Sequence, residues 1–257
     1  MLESLFAAAE RDSAAREQSL SFDTLLNDVA QLPPAPNVYE RLAPEGRIKV
    51  IAEIKRASPS RGDMAEISDV AGFASGYEES GADAISVLTE RTGFKGSLED
   101  LEQASAAVSI PTLRKDFISN RYQLLEARRA GASFALLILA HLDKNRARDL
   151  MLFSQEVGLG VLLEVHTEHE IQTAAELGGQ LIGINTRDLR TFKTDLGLFE
   201  KMASQLPRNS IKVAESSVKS VEDVRRYRDA GADVVLVGEA LVTGDWKTLI
   251  QQFIQVA

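Results

Sequence analysis

Eight short apolar runs, separated by amphipathic stretches, restrict this chain more than any other feature. The runs lie at 49–54, 84–88, 111–115, 134–139, 160–165, 181–185, 211–214 and 234–237. Between them, apolar residues recur at helical spacing near 67–80, 97–108, 120–130, 144–157, 167–177, 196–205 and 220–230, and a last helix is expected near 245–256. Strict alternation of this kind predicts parallel strands joined by helical crossovers. A repeat sharpens the reading. Ser80-Gly-Ala-Asp83, Ala130-Gly-Ala-Ser133, Leu177-Gly-Gly-Gln180 and Ala230-Gly-Ala-Asp233 each end a helix and lead into an apolar run. Their first glycines recur about every fifty residues, or about two strand–helix units. Glycine fits there because it takes the left-handed turn that stops a helix. The expected fold is α/β, a closed (β/α)8 TIM barrel. An open doubly wound sheet is the competitor, but it usually carries a glycine-rich nucleotide loop after its first strand. Here that loop, 55–62, has no G-x-G-x-x-G.

Residues 1–46 read differently. Leu2, Leu5, Phe6 and Ala9 have helical spacing, as do Phe22, Leu25, Leu26 and Val29, and Pro33, Pro34 and Pro36 then forbid continuation. The expected division is an N-terminal helical extension, 1–46, packed on a barrel of residues 47–257, one domain overall. With 257 residues, 44% of them hydrophobic, the chain can bury the large core this requires. A net charge of -9 without a basic block argues against a nucleic-acid or anionic-membrane surface, while leaving room for a local anion pocket. The absence of cysteine excludes disulfides, a thiolate nucleophile and zinc–thiolate sites. No run reaches the ~20 apolar residues of a membrane span, and nothing resembles a signal peptide. A cytoplasmic monomer with no membrane or nucleic-acid partner is the expectation.

Active sites of such barrels lie at the C-terminal ends of the strands. On the first strand, residues two apart share a face, so Glu53 and Lys55 lie with Ile51 while Val50, Ala52 and Ile54 point the other way. On the odd strands Lys55, Lys115, Glu164 and Glu215 each sit where an inward side chain is expected, with Glu53 below them. One such charge is ordinarily a solvated strand end. Five at matching places on four strands call for another account. Mutual pairing in a partly dry site shifts proton affinities and equips such groups as general acids and bases. After the seventh strand comes Glu215-Ser216-Ser217, and after the eighth Gly238-Glu239-Ala240, which can open a short helix. Backbone N–H groups at these places form the common phosphate site of such barrels. Phe94 and Phe117 lie in loops beyond the second and third strands; core filling is the ordinary role, an aromatic substrate pocket the alternative. His166 and His169 flank a strand-to-helix turn with no third ligand near in sequence, and are expected at the surface or as caps rather than on a metal. Arg128 and Arg129 read as a solvated helix face.

The segments Val50-Ile-Ala-Glu-Ile-Lys-Arg-Ala-Ser-Pro-Ser, Leu113-Arg-Lys-Asp-Phe117, Leu163-Glu-Val-His166, Gly183-Ile-Asn-Thr-Arg-Asp-Leu189, Ala214-Glu-Ser216 and Val237-Gly-Glu-Ala-Leu241 resemble indole-3-glycerol phosphate synthase, in order and spacing, from about residue 47 to 245. The resemblance implies a carboxy-lyase of tryptophan biosynthesis. Its substrate, 1-(2-carboxyphenylamino)-1-deoxyribulose 5-phosphate, is ring-closed, decarboxylated and dehydrated. It implies Lys115 as general acid, Lys55 paired with the substrate carboxylate, Glu164 and Glu53 as base and charge partner, and Asn185, Arg187 and Glu215 as orienting groups. Ser58, Ser216, Gly238 and the backbones of Ser217 and Glu239 would surround the phosphate, and Phe94, Phe117, Pro59, Leu136 and Leu189 would clasp the aromatic ring. No redox change is involved, so no metal or organic cofactor is expected. One departure stands out: Ser217 occupies a position where the family pattern usually has Gly, a residue suited to positive φ and close approach to phosphate. On that basis Ser217→Gly is expected to lower KM with little change in kcat. Two other readings of the residues are another phosphate-binding barrel enzyme of the Schiff-base aldolase type, using Lys55 or Lys115, and a barrel that binds a phosphorylated ligand without catalysis.

Overall fold

The computed structural model describes residues 2–187, 194–195 and 197–257. Eight parallel strands, β1 (Lys49–Ile54), β4 (Ala84–Leu88), β5 (Thr112–Lys115), β6 (Phe134–Ile138), β7 (Gly160–Val165), β8 (Leu181–Asn185), β9 (Ile211–Glu215) and β10 (Val234–Val237), close into a barrel in which β1 pairs with both β4 and β10. The two remaining strands among the described residues, β2 (Ala57–Ser58) and β3 (Gly62–Asp63), form a small antiparallel hairpin in the first loop at the barrel mouth. Every predicted strand is present within a residue of its expected ends. The third begins at Thr112 because Pro111 has no N–H to give the ladder; it contributes its carbonyl, which accepts from Ile85 N.

Between the strands run α4 (Val70–Glu79), α5 (Leu98–Ala107), α6 (Arg121–Arg129), α7 (Lys144–Glu156), α8 (Glu168–Glu176), α9 (Leu198–Met202) and α10 (Val221–Asp229), followed by the short α11 (Glu239–Thr243) and then α12 (Trp246–Phe253). The helix expected over 196–205 is shorter: α9 passes into a 3-10 turn, Ala203–Gln205, and Leu206 is extended before Pro207. Of the seven crossover helices α4 to α10, six start on a side chain that accepts a backbone N–H: Asp69, Ser97, Asn120, Asp143, Thr167 and Ser220. Each such cap is worth about 1 kcal/mol. The repeat glycines 81, 131, 178 and 231 all have positive φ, between 74° and 102°, and turn the chain back toward the next strand. Starts and stops of the crossovers are thus set locally, which fixes where each strand emerges at the mouth.

The core has two layers, as the strand periodicity requires. Ile51, Leu113, Phe134, Leu136, Leu162, Val213 and Leu236 fill the barrel interior, whereas Val50, Ala52, Ile54, Ile85, Val87, Leu137 and Val235 pack outward under the helices. The segment before β1 forms α1 (Leu2–Ser19), α2 (Phe22–Ala30) and α3 (Val38–Arg41). It runs from mouth to base. At the mouth the Phe6 ring meets Phe117 edge-on at 5.3 Å and stacks on His141 at 3.6 Å. Down the side, Tyr122 Oη donates to Leu20 O, and the Arg128 guanidinium donates to Pro33 O. Arg128 is therefore buried rather than solvated; the chain segment that covers it lies about a hundred residues away in sequence, beyond the reach of helical periodicity. At the base Val38 packs on Gly160, and Tyr39 Oη accepts from Val161 N. A buried polar network joins the layers. Arg114, pointing outward from β5, donates to Asp116, Thr89, Glu126 and the Gln123 carbonyl, and Arg16 of α1 pairs with the same Glu126. No helix among the described residues is long and apolar enough to cross a membrane.

Candidate active site

A cavity of about 510 Å³ opens at the C-terminal ends of the barrel strands. At its floor, inward residues at the ends of the odd strands carry the charge. Lys115 Nζ lies 2.8 Å from Glu215 Oε2 and 3.4 Å from Glu164 Oε2, and Lys55 Nζ lies 2.7 Å from Glu53 Oε1. Glycines on the even strands make room for these side chains. A methyl group on Gly183 would stand 2.1 Å from a Glu215 oxygen, and one on Gly238 would stand 2.2 Å from Glu53 Oε1 and 3.0 Å from Lys55 Nζ. Two ammoniums face three carboxylates, so acid is in excess. Burial pushes the Glu215 carboxyl up to about 7; Lys115 opposes that rise and Glu164 adds to it. Burial alone would lower the Lys115 ammonium, but Glu215, Glu164 and Glu53 outweigh it and hold the proton more tightly than an ordinary lysine does. Glu53 Oε2, Glu164 Oε1 and Glu215 Oε1 are buried without a hydrogen-bond partner among the described residues. A floor of this kind offers a proton donor beside unpaired acceptors.

Above the floor the cavity divides into two sides. One is apolar: Leu88, Leu136, Ile138, Phe94 and Phe117, with Pro59 over them. The Phe94 and Phe117 centroids are 6.1 Å apart, and Phe6 backs Phe117 from outside. Glu90 shapes the loop that carries Phe94, its carboxylate accepting from the backbone N–H of Thr92, Gly93 and Phe94. The other side is polar: Ser58, Arg187, Ser216, Ser217, Gly238 and Glu239. Asn185 Oδ1 ties it together, accepting from Arg187 N at 3.0 Å and from Ser216 Oγ at 2.8 Å. Ser216 and Ser217 both adopt left-handed backbone, φ 71° and 68°. Ser217 takes the conformation for which glycine is the usual choice, and its hydroxyl lies 3.0 Å from Thr186 Oγ1. The Glu239 side chain turns to Arg61 of the first loop.

The residues singled out from the sequence thus line one cavity, with Leu189 lying outside the described residues. Several that sequence reasoning passed over line it too: Arg61, Lys219 and Thr194 on the polar side, and Ile138 on the apolar side. Each has only its place in a mouth loop or at a strand end as a signal. His166 is a correction. It is half-buried against Glu164 and Glu170, because it continues the inward side of β7 two residues beyond Glu164. His169, on α8, is exposed as expected.

A family model described as indole-3-glycerol phosphate synthase matches residues 2–253. Among curated proteins, the chain is 50% identical over 254 residues to the indole-3-glycerol phosphate synthase of Leifsonia xyli subsp. xyli, covering 98% of this chain and 97% of that one. It is 47% identical to the enzyme of that name from Mycolicibacterium smegmatis (99% and 93% covered) and 44% identical to indole-3-glycerol phosphate synthase 1 of Streptomyces coelicolor (99% and 94%). Among solved structures, 3-hexulose-6-phosphate synthase from Salmonella typhimurium aligns with a TM-score of 0.64 at 14% identity, covering 81% of this chain and 99% of that one. Thiamine phosphate pyrophosphorylase from Pyrococcus furiosus aligns at 0.62 and 13%, covering 85% and 96%. At such identities these two likenesses bear on the fold alone.

Proposed function

The chain belongs to the indole-3-glycerol phosphate synthase family of carboxy-lyases in tryptophan biosynthesis, and we propose that the barrel mouth runs that reaction with Lys115 as general acid and Glu164 as base. The observation that carries the assignment is the Lys115 ammonium held at 2.8 and 3.4 Å between two buried carboxylates on the floor of a cavity with one aromatic and one polar side.

The substrate of the family is 1-(2-carboxyphenylamino)-1-deoxyribulose 5-phosphate. In the proposed pose its aromatic ring lies between Phe94, Phe117, Pro59 and Leu136, and its carboxylate faces Lys55. Ser58, Ser216, Gly238 and the backbones of Ser217 and Glu239 surround the phosphate, with Arg187, Arg61 and Lys219 adding positive charge on that side. The ring carbon that bears the carboxylate attacks the ketone carbon, and Lys115 gives the ketone oxygen its proton, leaving a hydroxyl. The attack turns the ring nitrogen into an iminium. Loss of CO2 then breaks the carbon–carboxyl bond, and its electron pair flows to the iminium and restores the aromatic sextet. In the last step the hydroxyl leaves as water with a proton supplied by Lys55, and Glu164 takes the proton from the methylene beside nitrogen. Electrons and atoms balance without redox change.

The charge arrangement suits each step. Glu215 and Glu164 keep Lys115 protonated until an alkoxide develops within reach. The unpaired oxygens of Glu53 and Glu215 are acceptors for the substrate hydroxyls, and the Glu164 oxygen on the Lys115 side takes the departing proton. The phosphate lies far from the reacting carbons, so its contacts supply binding energy that positions the ring against the ketone. The test is Lys115→Ala, followed by the indole fluorescence that develops from this substrate. Turnover is expected to fall by about 10²–10⁴-fold, the usual contribution of a positioned general acid, with substrate binding largely intact. Near-normal turnover would remove Lys115 from the role.

A further inference from the structure

We propose that His166 is a positioning residue for Glu164: its imidazolium sits between the Glu164 and Glu170 carboxylates and holds Glu164 turned toward the reacting atoms. The proposal rests on Glu164 being the base of the reaction. His166 Nε2 lies 3.4 Å from Glu164 Oε1, and Nδ1 lies 3.6 Å from Glu170 Oε2. Glu170, in the first turn of α8, is itself fixed by accepting from the His166 backbone N–H at 2.7 Å. The two Glu164 oxygens are therefore divided: Oε2 faces Lys115, and Oε1 faces the ring. His166 does not line the cavity, so any influence on chemistry passes through Glu164.

Charge decides which form of the ring belongs there. Neither ring nitrogen has a hydrogen-bond partner among the described residues, so a neutral imidazole, with one donor and one acceptor nitrogen, would gain little beside two carboxylates. An imidazolium is attracted to both. The charged groups that face it are Glu164 on β7, Glu170 on α8 and, farther off, Glu215 on β9, while Lys115 lies across Glu164. Burial lowers the ring's affinity for its second proton, but Glu170, Glu164 and Glu215 outweigh burial and raise its pKa above the ordinary histidine value. A charged His166 is also the cation that the floor is short of, since Lys115 alone serves both Glu164 and Glu215.

Two measurements on the full chain test this. In the first, histidine ring nitrogens are followed by NMR against pH, and the loss of one of three signals in His166→Asn makes the assignment. His166 is expected to titrate above the ordinary range and to fall in Glu164→Gln; an ordinary titration indifferent to Glu164→Gln overturns the proposal. The second is the pH dependence of turnover. His166→Asn should lower kcat by about 10- to 100-fold, the range for loss of an orienting partner, with KM changed less than about 2-fold. Its acidic limb should move to higher pH, because the acid-rich floor loses a cation that favours the charged form of its carboxylates. Glu170→Gln should move the same limb in the same direction by less, and with the wild-type titration it decides the matter if His166→Asn does not fold. Wild-type kcat and an unmoved acidic limb in a folded His166→Asn overturn the positioning role alone when Glu164→Gln is inactive. Wild-type turnover in Glu164→Gln removes the base assignment and this role with it.

Discussion

At the scale of single residues, the site is built by small side chains as much as by charged ones. Gly183 and Gly238 stand where any Cβ would collide with Glu215 or Glu53, so the charged floor exists only because these two positions, within β8 and just after β10, carry no side chain. Sequence alone shows the charges, since their inward register follows from period two, but it does not show which glycines yield space to them. Ser217 makes the same point from the other side. A left-handed serine costs of order 1–3 kcal/mol, and a hydroxyl bond of the kind it makes with Thr186 returns about 1 kcal/mol. Ser217→Ala should therefore destabilise by about 1 kcal/mol, since it keeps the strain and loses the bond. Ser217→Gly should lie within about 1 kcal/mol of wild type in urea unfolding, the two effects cancelling. Because the backbone already has the glycine-like φ of 68°, an unchanged KM in Ser217→Gly is now the expected result, in place of the decrease that residue type alone suggests. A lowered KM would mean that the hydroxyl itself obstructs the phosphate.

At the scale of elements, strands and crossovers were legible because most crossovers carry their own punctuation, a cap at one end and a left-handed glycine at the other, with a clean period between. What escaped is whatever depends on two elements at once. The β2–β3 hairpin has two residues per strand, too few to show alternation. Arg114 reads as an ordinary strand charge, yet it is 1% exposed and joins β5 to α6, while Arg16 reaches that network from α1. Its partners lie up to 25 residues away, so nothing local marks it. Arg114→Met should cost about 3–5 kcal/mol, because it leaves the buried Asp116 carboxylate without a cation and Glu126 with Arg16 alone. Chemical denaturation would show this as a lower midpoint with an unchanged slope. A loss below about 1 kcal/mol would mean that water reaches those carboxylates and satisfies them. Asp116 also fixes the N–H of Phe117, so the same variant should raise KM by loosening one wall of the aromatic side.

At the scale of the whole molecule, the acid-rich floor couples catalysis to stability. Glu215 titrates near 7 when folded and near its ordinary 4.5 when unfolded, so the folded state binds its proton more tightly. Its contribution to stability is then most favourable below the unfolded value and declines as pH rises from about 4.5 to about 7. Lys115 is protonated in both states throughout that window and adds no slope there. Glu215→Gln should remove the decline, so that the Tm of the variant gains on wild type steadily between about pH 5 and 7.5. A constant difference over that range would contradict the raised carboxyl. The N-terminal segment has a consequence of another kind. Its partners, Tyr122, Arg128 and Val161, follow it by 95 to 122 residues. A ribosome releases α1, α2 and α3 well before the strands and helices they rest on, and at about 5–20 residues per second the wait is of order ten seconds. During that wait the apolar faces of Leu2, Leu5, Phe6 and Leu25 have nothing native to cover, so the first helices made are among the last to find their place.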